Sequence, residues 1–317
     1  MVRLVFNRLL QALIVLLLMS FAVYGLMGLM PGDPIDLMIS ADPSLSSADA
    51  QHLKALYGLD QPIVERWFHW LISSLSGNLG YSRLYAAPVW EILQPALGNS
   101  LLLLGGSFLL SLAIALPAGV FAALKPASMR DYCINSLAFA GVAIPTFWLG
   151  LMLIALFAVT LGWLPAGGTG RLQAADWWDR LDYLVLPVVT LTIANLASHT
   201  RFLRGAMLEV LRQDYIRTAR AKGASTRRIV FKHALRNALI PVVTVLALEF
   251  GALFSGALVT ETVFAWPGVG KLIYDAILGN DFNLALLALL LATAMTLLGN
   301  LLADLAYAWL DPRIQYR

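Results

Sequence analysis

Long uncharged stretches alternate with short charged ones along the chain, and that alternation predicts the architecture. Residues 9–30 form a 22-residue uncharged run behind Arg3 and Arg8, and further runs cover residues 92–124, 132–170 and 183–200. Residues 237–260 make another, interrupted by Glu249, and residues 282–303 a last one that ends at Asp304. A bilayer core takes about 20 apolar helical residues, so each run predicts one crossing. The chain therefore reads as an all-α integral membrane protein with six transmembrane helices. Two runs, of 33 and 39 residues, exceed the length of a crossing, and each is expected to hold a tilted helix plus a buried interfacial extension. The first run is longer than the apolar part of a secretory signal and has no small-x-small cleavage site before Pro31, so it is read as a helix that stays in the membrane.

Composition agrees with this reading. The chain is 59% hydrophobic and 13% charged, with a mean hydropathy of +0.75, well outside soluble globular proteins. Cys133 is the single cysteine, which excludes an intrachain disulfide and a cysteine-cluster metal site. Charge placement gives the orientation, because basic residues beside spans are retained in the cytoplasm. With six spans, 16 Lys and Arg fall on the side that holds both termini. Six fall on the other: Lys54, Arg66, Arg83, Arg171, Arg180 and Lys271. Both termini are expected in the cytoplasm.

The predicted parts are an N-terminal transmembrane helix at 1–30, an extracytoplasmic cap at 31–95, a transmembrane domain at 96–310 and a cytoplasmic tail at 311–317. The cap carries Trp67, Trp70 and an amphipathic stretch over 65–75, enough for a small helical cover on the membrane.

Between the fourth and fifth runs, residues 201–236 gather ten Lys and Arg in one cytoplasmic loop. Tyr215, Ile216 and Ala219 recur at helical spacing before Gly223, which has no Cβ and can take the left-handed conformation that ends a helix. Ser225 or Thr226 then caps a second short helix, with Ile229, Val230, Ala234 and Ala238 on one side and Arg227, Arg228, Lys232 and Arg236 elsewhere. The pattern predicts a helix-Gly-helix elbow whose apolar strip is available to a groove in another protein. Contact with anionic lipid accounts for the charge alone; topology by itself needs neither the hinge nor the strip.

At these residues the chain resembles the coupling loop of permease subunits in bacterial ABC importers, the so-called EAA loop. That pattern is Glu-Ala-Ala, three residues, Gly, nine residues, then Ile-x-Leu-Pro. Laid on Gly223, it puts Arg217, Thr218 and Ala219 at the first three positions, His233 and Leu235 at the Ile and Leu, and Arg236 at the proline. "DYIRTARAKG" and "HALRNALIPVVT" are similar to the dipeptide, oligopeptide and nickel branch, as are "MPGDP", "YGLDQP", "GNLGYS", "IPTFWLG", "ETVFAWPGVGKL" and "LDPRI" in that order. The resemblance implies the larger of two related permeases, completed by a second permease, two cytoplasmic ATPases that bind ATP and Mg, and an external substrate-binding protein. It also implies that Arg217, Thr218, Ala219, Lys222, Gly223 and Ala224 touch an ATPase subunit. Peptides fit best; nickel, metal chelates and glutathione-like peptides are carried by look-alike systems. Membrane lipid surrounds the chain, and no nucleic-acid partner is expected.

Other motifs point away from catalysis. "WPGVGKL" misses a phosphate loop, since Ala265 stands at its first glycine and Leu272 follows Lys271 where Ser or Thr is needed. "SSLSGNLG", reminiscent of an ATPase signature, falls on the outer side. His52, His69, His199 and His233 are scattered without metal-ligand spacing. The chain is expected to hold no cofactor or metal and not to be an enzyme.

Glu249 is a carboxylate in an apolar run and suits either a translocation path or an interhelical hydrogen bond. Asn195 suits either packing or the path. Pro145 and Pro117 are expected to kink their helices and to open space beside them. A secondary transporter or a receptor-like module are the rival classes, and neither gives the elbow a role.

Overall fold

The computed structural model describes residues 2–28, 61–169 and 178–310. Residues 31–60, with "MPGDP" and the start of "YGLDQP", and the tail at 311–317 lie outside the described residues.

Helix α1 (Val2–Gly28) is followed by α2 (Ile63–Leu75), the amphipathic stretch of the outer cap. Aromatic residues hold the two together: Trp67 Nε1 donates to Ser20 Oγ at 3.1 Å, and its ring meets Phe21 edge-on at 5.3 Å. A short hairpin follows, strand β1 (Tyr81–Ser82) paired antiparallel with β2 (Ala87–Pro88), an addition to the all-helical expectation. Helix α3 (Val89–Leu124) begins directly after it, inside the segment read from sequence as cap. Its 36 residues rise about 54 Å, more than a hydrocarbon core, so its ends project beyond one.

The third apolar run is not one tilted helix. α4 (Met129–Ala143) stops at Ile144 and Pro145, and α5 (Thr146–Leu153), continued by a wide π turn at Ile154–Thr160, leaves at 97° to it. Proline supplies the corner: it has no N–H to keep the helical ladder going and restricts the residue before it to extended backbone. Ile144 accordingly has φ −91° and ψ 123°. The expected kink is a break between two helices.

Helix α6 (Trp178–Leu211) absorbs the fourth run and continues through the first part of the predicted loop. α7 (Asp214–Ala221) and α8 (Thr226–Arg228) form the elbow; a π turn at Ile229–Ala234 then carries α8 without a break into α9 (Leu235–Val263). The predicted short second helix is thus the start of the fifth run's helix. α10 (Val269–Leu278) and α11 (Phe282–Leu310) complete the chain.

Among the described residues, four helices are long and apolar enough to cross a membrane, within α1, α3, α6 and α11, and the bent α4–α5 pair adds a fifth crossing if it counts as one. α3 packs along α6, α9 along α11, and α1 against α11, where Arg8 Nε meets Asp304 Oδ2 at 2.6 Å. Small residues let the backbones approach: a Cβ on Gly119 of α3 would lie 3.0 Å from Leu203 Cβ of α6. Ser107, Ser111 and Ala115 are buried on α3, and Ser111 Oγ bonds His199 Nδ1 of α6 at 2.8 Å.

Candidate functional site: a coupling elbow and a buried knot at opposite ends of one helical run

The α7–α8 elbow turns on Gly223, whose φ is +78°. A Cβ there would meet nothing within 4 Å, so the need for glycine is one of backbone conformation rather than space. Ser225 caps the next helix, its Oγ accepting from Arg228 N at 3.4 Å. Arg217, Thr218, Lys222 and Gly223 are exposed, and Ala219 and Ala224 are half-buried.

The apolar strip of the elbow faces the opposite way. Ile216 is fully buried, and Ile229, Val230 and Ala234 nearly so, in a core with Val120 and Ala123 of α3 and Leu203 and Met207 of α6. The strip expected to be offered to another protein is already used within this chain. It clamps the elbow to the ends of α3 and α6, and the surface left to a partner is mostly polar, with Tyr215 and Phe231 exposed in it.

The other end of the run is closed. Glu261, near the end of α9, has no exposed surface, and its carboxylate lies against the first turn of α10. Ser100 Oγ donates to Glu261 Oε1 at 2.5 Å, and Lys271 N donates to Oε2 at 3.0 Å. Ser100 Oγ also accepts from Val269 N at 2.8 Å. The free N–H groups of a helix start thus receive a carboxylate and a hydroxyl, the arrangement that its dipole favours. Gly268 is required by proximity, because a Cβ would fall 2.2 Å from Glu261 Oε1. Beside it, Trp266 Nε1 donates to Asn99 O at 3.0 Å and Asn99 Nδ2 donates back to Pro267 O at 3.0 Å. "ETVFAWPGVGKL" therefore folds as a knot that ties α9, α10 and α3 together.

Residues 115–316 match the family described as "Binding-protein-dependent transport system inner membrane component", and residues 1–101 match its N-terminal counterpart. The chain belongs to this family. The permease is 41% identical to the oligopeptide transport system permease protein AppB of Bacillus subtilis, over 98% of this chain and 99% of that one. It is 38% identical to the di/tripeptide transport system permease protein DppB of Pseudomonas aeruginosa, over 94% of each chain. It is 36% identical to the dipeptide transport system permease protein DppB of Escherichia coli K12, again over 94% of each. Its fold is similar to that of a chain in an inward-facing structure of the MetNI methionine ABC transporter, with a TM-score of 0.59, 21% identity, and coverage of 71% of this chain and 98% of that one. The protein is thus a multi-pass inner-membrane transport subunit, and the resemblance read from its motifs holds.

Two further clusters brace the permease. Arg204 of α6 forms a two-bonded pair with Asp131 of α4, Nε to Oδ1 and Nη2 to Oδ2, both at 2.6 Å. Asp131 also accepts from Ala127 N at 2.9 Å and Asn135 Nδ2 at 2.6 Å, so the α3–α4 turn is fixed to α6 shortly before the elbow. Near the knot, buried Asp281 accepts from Ser82 Oγ at 2.5 Å and Leu84 N at 2.9 Å, docking the β-hairpin onto the α10–α11 corner. Partial burial, with the Asp275 carboxylate next in effect, pushes the Tyr85 phenol above its usual range.

The candidate path residues are not brought together by any described hydrogen bond. Asn195 Nδ2 donates to Leu191 O at 2.9 Å on its own helix, which fits packing. Pro145 is exposed at the α4–α5 break. Glu249 lies on α9, and its side chain is outside those described. Sequence reading gave no role to Ser100, Glu261, Asp131 or Arg204. The "ETVF" string was a usable signal for Glu261, but the partners Ser100 and Arg204 lie 161 and 73 residues from theirs, where no local pattern reaches.

Proposed function

We propose that this permease forms one half of the path through which an ATP-driven importer moves peptides delivered by an external binding protein. The observation that carries this reading is full-length similarity to permeases named for oligopeptides and dipeptides, at 36–41% identity. Six spans with both termini in the cytoplasm follow from the six apolar runs and from the 16 to 6 division of basic residues. Residues 31–95 then cover the outer face, where the binding protein docks. Residues 201–236 carry the coupling elbow, and Arg217, Thr218, Ala219, Lys222, Gly223 and Ala224 meet one of two ATPase subunits, which hold the ATP and Mg. A second permease supplies the other half of the path, to which Glu249 and Pro145 contribute from this chain.

The mechanics follow from the helical run. ATP binding closes the ATPase pair and displaces the elbow; α8, the π turn and α9 form one continuous helix, so the displacement travels along it to Glu261 and α10. Coupling requires that closure favour one state of the permease over the other, because a partner with equal affinity for both shifts nothing. The test is reconstitution of the complete importer in vesicles. ATP-dependent uptake of a labelled dipeptide or oligopeptide, absent without the binding protein, is expected. Uptake of nickel alone, or peptide uptake without any ATPase, would refute the reading.

A further inference from the structure

The elbow shows a partner a face of charge. Residues 212–232 contain seven Lys or Arg against one acid, Asp214, and all eight are exposed. The one described ion pair among them, Arg217 with Asp214 at 3.4 Å, is 78% and 95% exposed and contributes little. The strip that would bury apolar area against another protein is spent inside this chain. Next to Gly223 lies an open depression of about 390 Å³ lined by Ser225, Arg227, Arg228, Phe231 and Lys232. The π turn shapes it: Ile229 and Val230 point into the core, whereas Phe231 stands 62% exposed between the cations.

Crowding like charges on one short tip raises its energy until counter-charge arrives. Three cations grouped around an exposed aromatic ring in a shallow, open depression suit an acidic side chain. Resting on the elbow contact proposed above, we infer that the ATPase surface receiving this elbow is acidic, and that one of its carboxylates enters the hollow between Arg227, Arg228 and Lys232. Docking is held by charge-assisted hydrogen bonds rather than by apolar burial. It selects ATPases by the sign of their groove, and like-charged grooves are rejected.

The complete importer, reconstituted in lipid nanodiscs, tests this. In a Cys133→Ser background, Thr218→Cys and a cysteine scan of the ATPase groove report contact by crosslinking. ATPase retention and binding-protein-stimulated turnover are then read at about 50 mM and about 300 mM salt, which shortens electrostatic reach from about 14 to about 6 Å. Retention is expected to fall about tenfold with salt in the wild type. Arg227→Glu with Arg228→Glu should lose it already at low salt, Arg227→Gln with Arg228→Gln should be intermediate, and acid-to-Lys changes in the groove should rescue the Glu pair. An unchanged melting temperature of the charge-reversed permease checks that it folds. Crosslinking that persists while salt and charge reversal change nothing would overturn the inference and leave the elbow contact standing. Absence of crosslinking at any salt would remove the elbow contact and the inference with it. An effect of reversal seen only in discs with about 30% phosphatidylglycerol, with the ATPases retained, would assign the face to the membrane and overturn the inference.

Discussion

The helical run from Thr226 to Val263 ends in two sites built on opposite principles. At the knot, an acidic side chain has no exposed surface, and its oxygens are matched by a hydroxyl and the N–H groups of a helix start. At the elbow, charged side chains stand in the open, and one long ion pair is described among them. The knot is complete within the chain, so it fixes geometry; the elbow is incomplete, so its energy depends on who binds. A lever needs both, one end that does not yield and one that responds to a partner.

The contrast is broken or sharpened by substitutions, beginning with the most damaging. Glu261→Ala leaves buried donors of Ser100 and Lys271 unmatched and should cost about 3–5 kcal/mol, lowering the melting temperature of the purified permease sharply. If melting stays within a degree or two of wild type, the knot is not the rigid end. Gly268→Ala drives a Cβ into the Glu261 carboxylate and should cost about 1–3 kcal/mol by displacing it. Recovery in the Gly268→Ala, Glu261→Asp double variant, where the acid is one carbon shorter, would show that the clash is the cause. Asp131→Asn removes the charge opposite Arg204, and because that guanidinium is 27% exposed the expected loss is nearer about 1–2 kcal/mol, read in the same melts.

Elbow variants should behave the other way round. Gly223→Val has space for its side chain but not the backbone angle, a strain of about 1–2 kcal/mol that the exposed turn relieves by changing shape. Melting should hardly move, whereas stimulated ATP turnover in the complete importer should drop at least tenfold, roughly, with Gly223→Asn retaining most of it because asparagine tolerates positive φ. Normal turnover in Gly223→Val would mean that the elbow does not transmit. Ser225→Ala removes a long cap bond and should give the smallest effect, about 0.5–1 kcal/mol, detectable as faster amide hydrogen exchange over 225–229.

Helix existence was legible from apolar run length, since a backbone in hydrocarbon must satisfy its own hydrogen bonds and a helix does so locally. Breaks were less legible. Pro145 ends a helix with a 97° corner, whereas Pro117 and Pro187 sit inside α3 and α6, so a proline in an apolar run does not by itself say which outcome follows. At the elbow, Gly223, the Ser225 cap and the amphipathic spacing were all readable. The facing of the strip was not, because periodicity says that Ile216, Ile229 and Val230 share a face without saying whose core they enter.

From the sequence alone came the membrane class, the helical runs, the glycine hinge and the permease family, all carried by short-range pattern: apolar length, charge placement and motif order. Tertiary structure alone decided that the elbow's apolar strip is turned inward, that Glu261 is seated on α10 beside Ser100, and that Arg204 holds Asp131. Those pairings join residues far apart in the chain, and burial, which makes a charge costly unless it is matched, is a property of the folded molecule rather than of any segment.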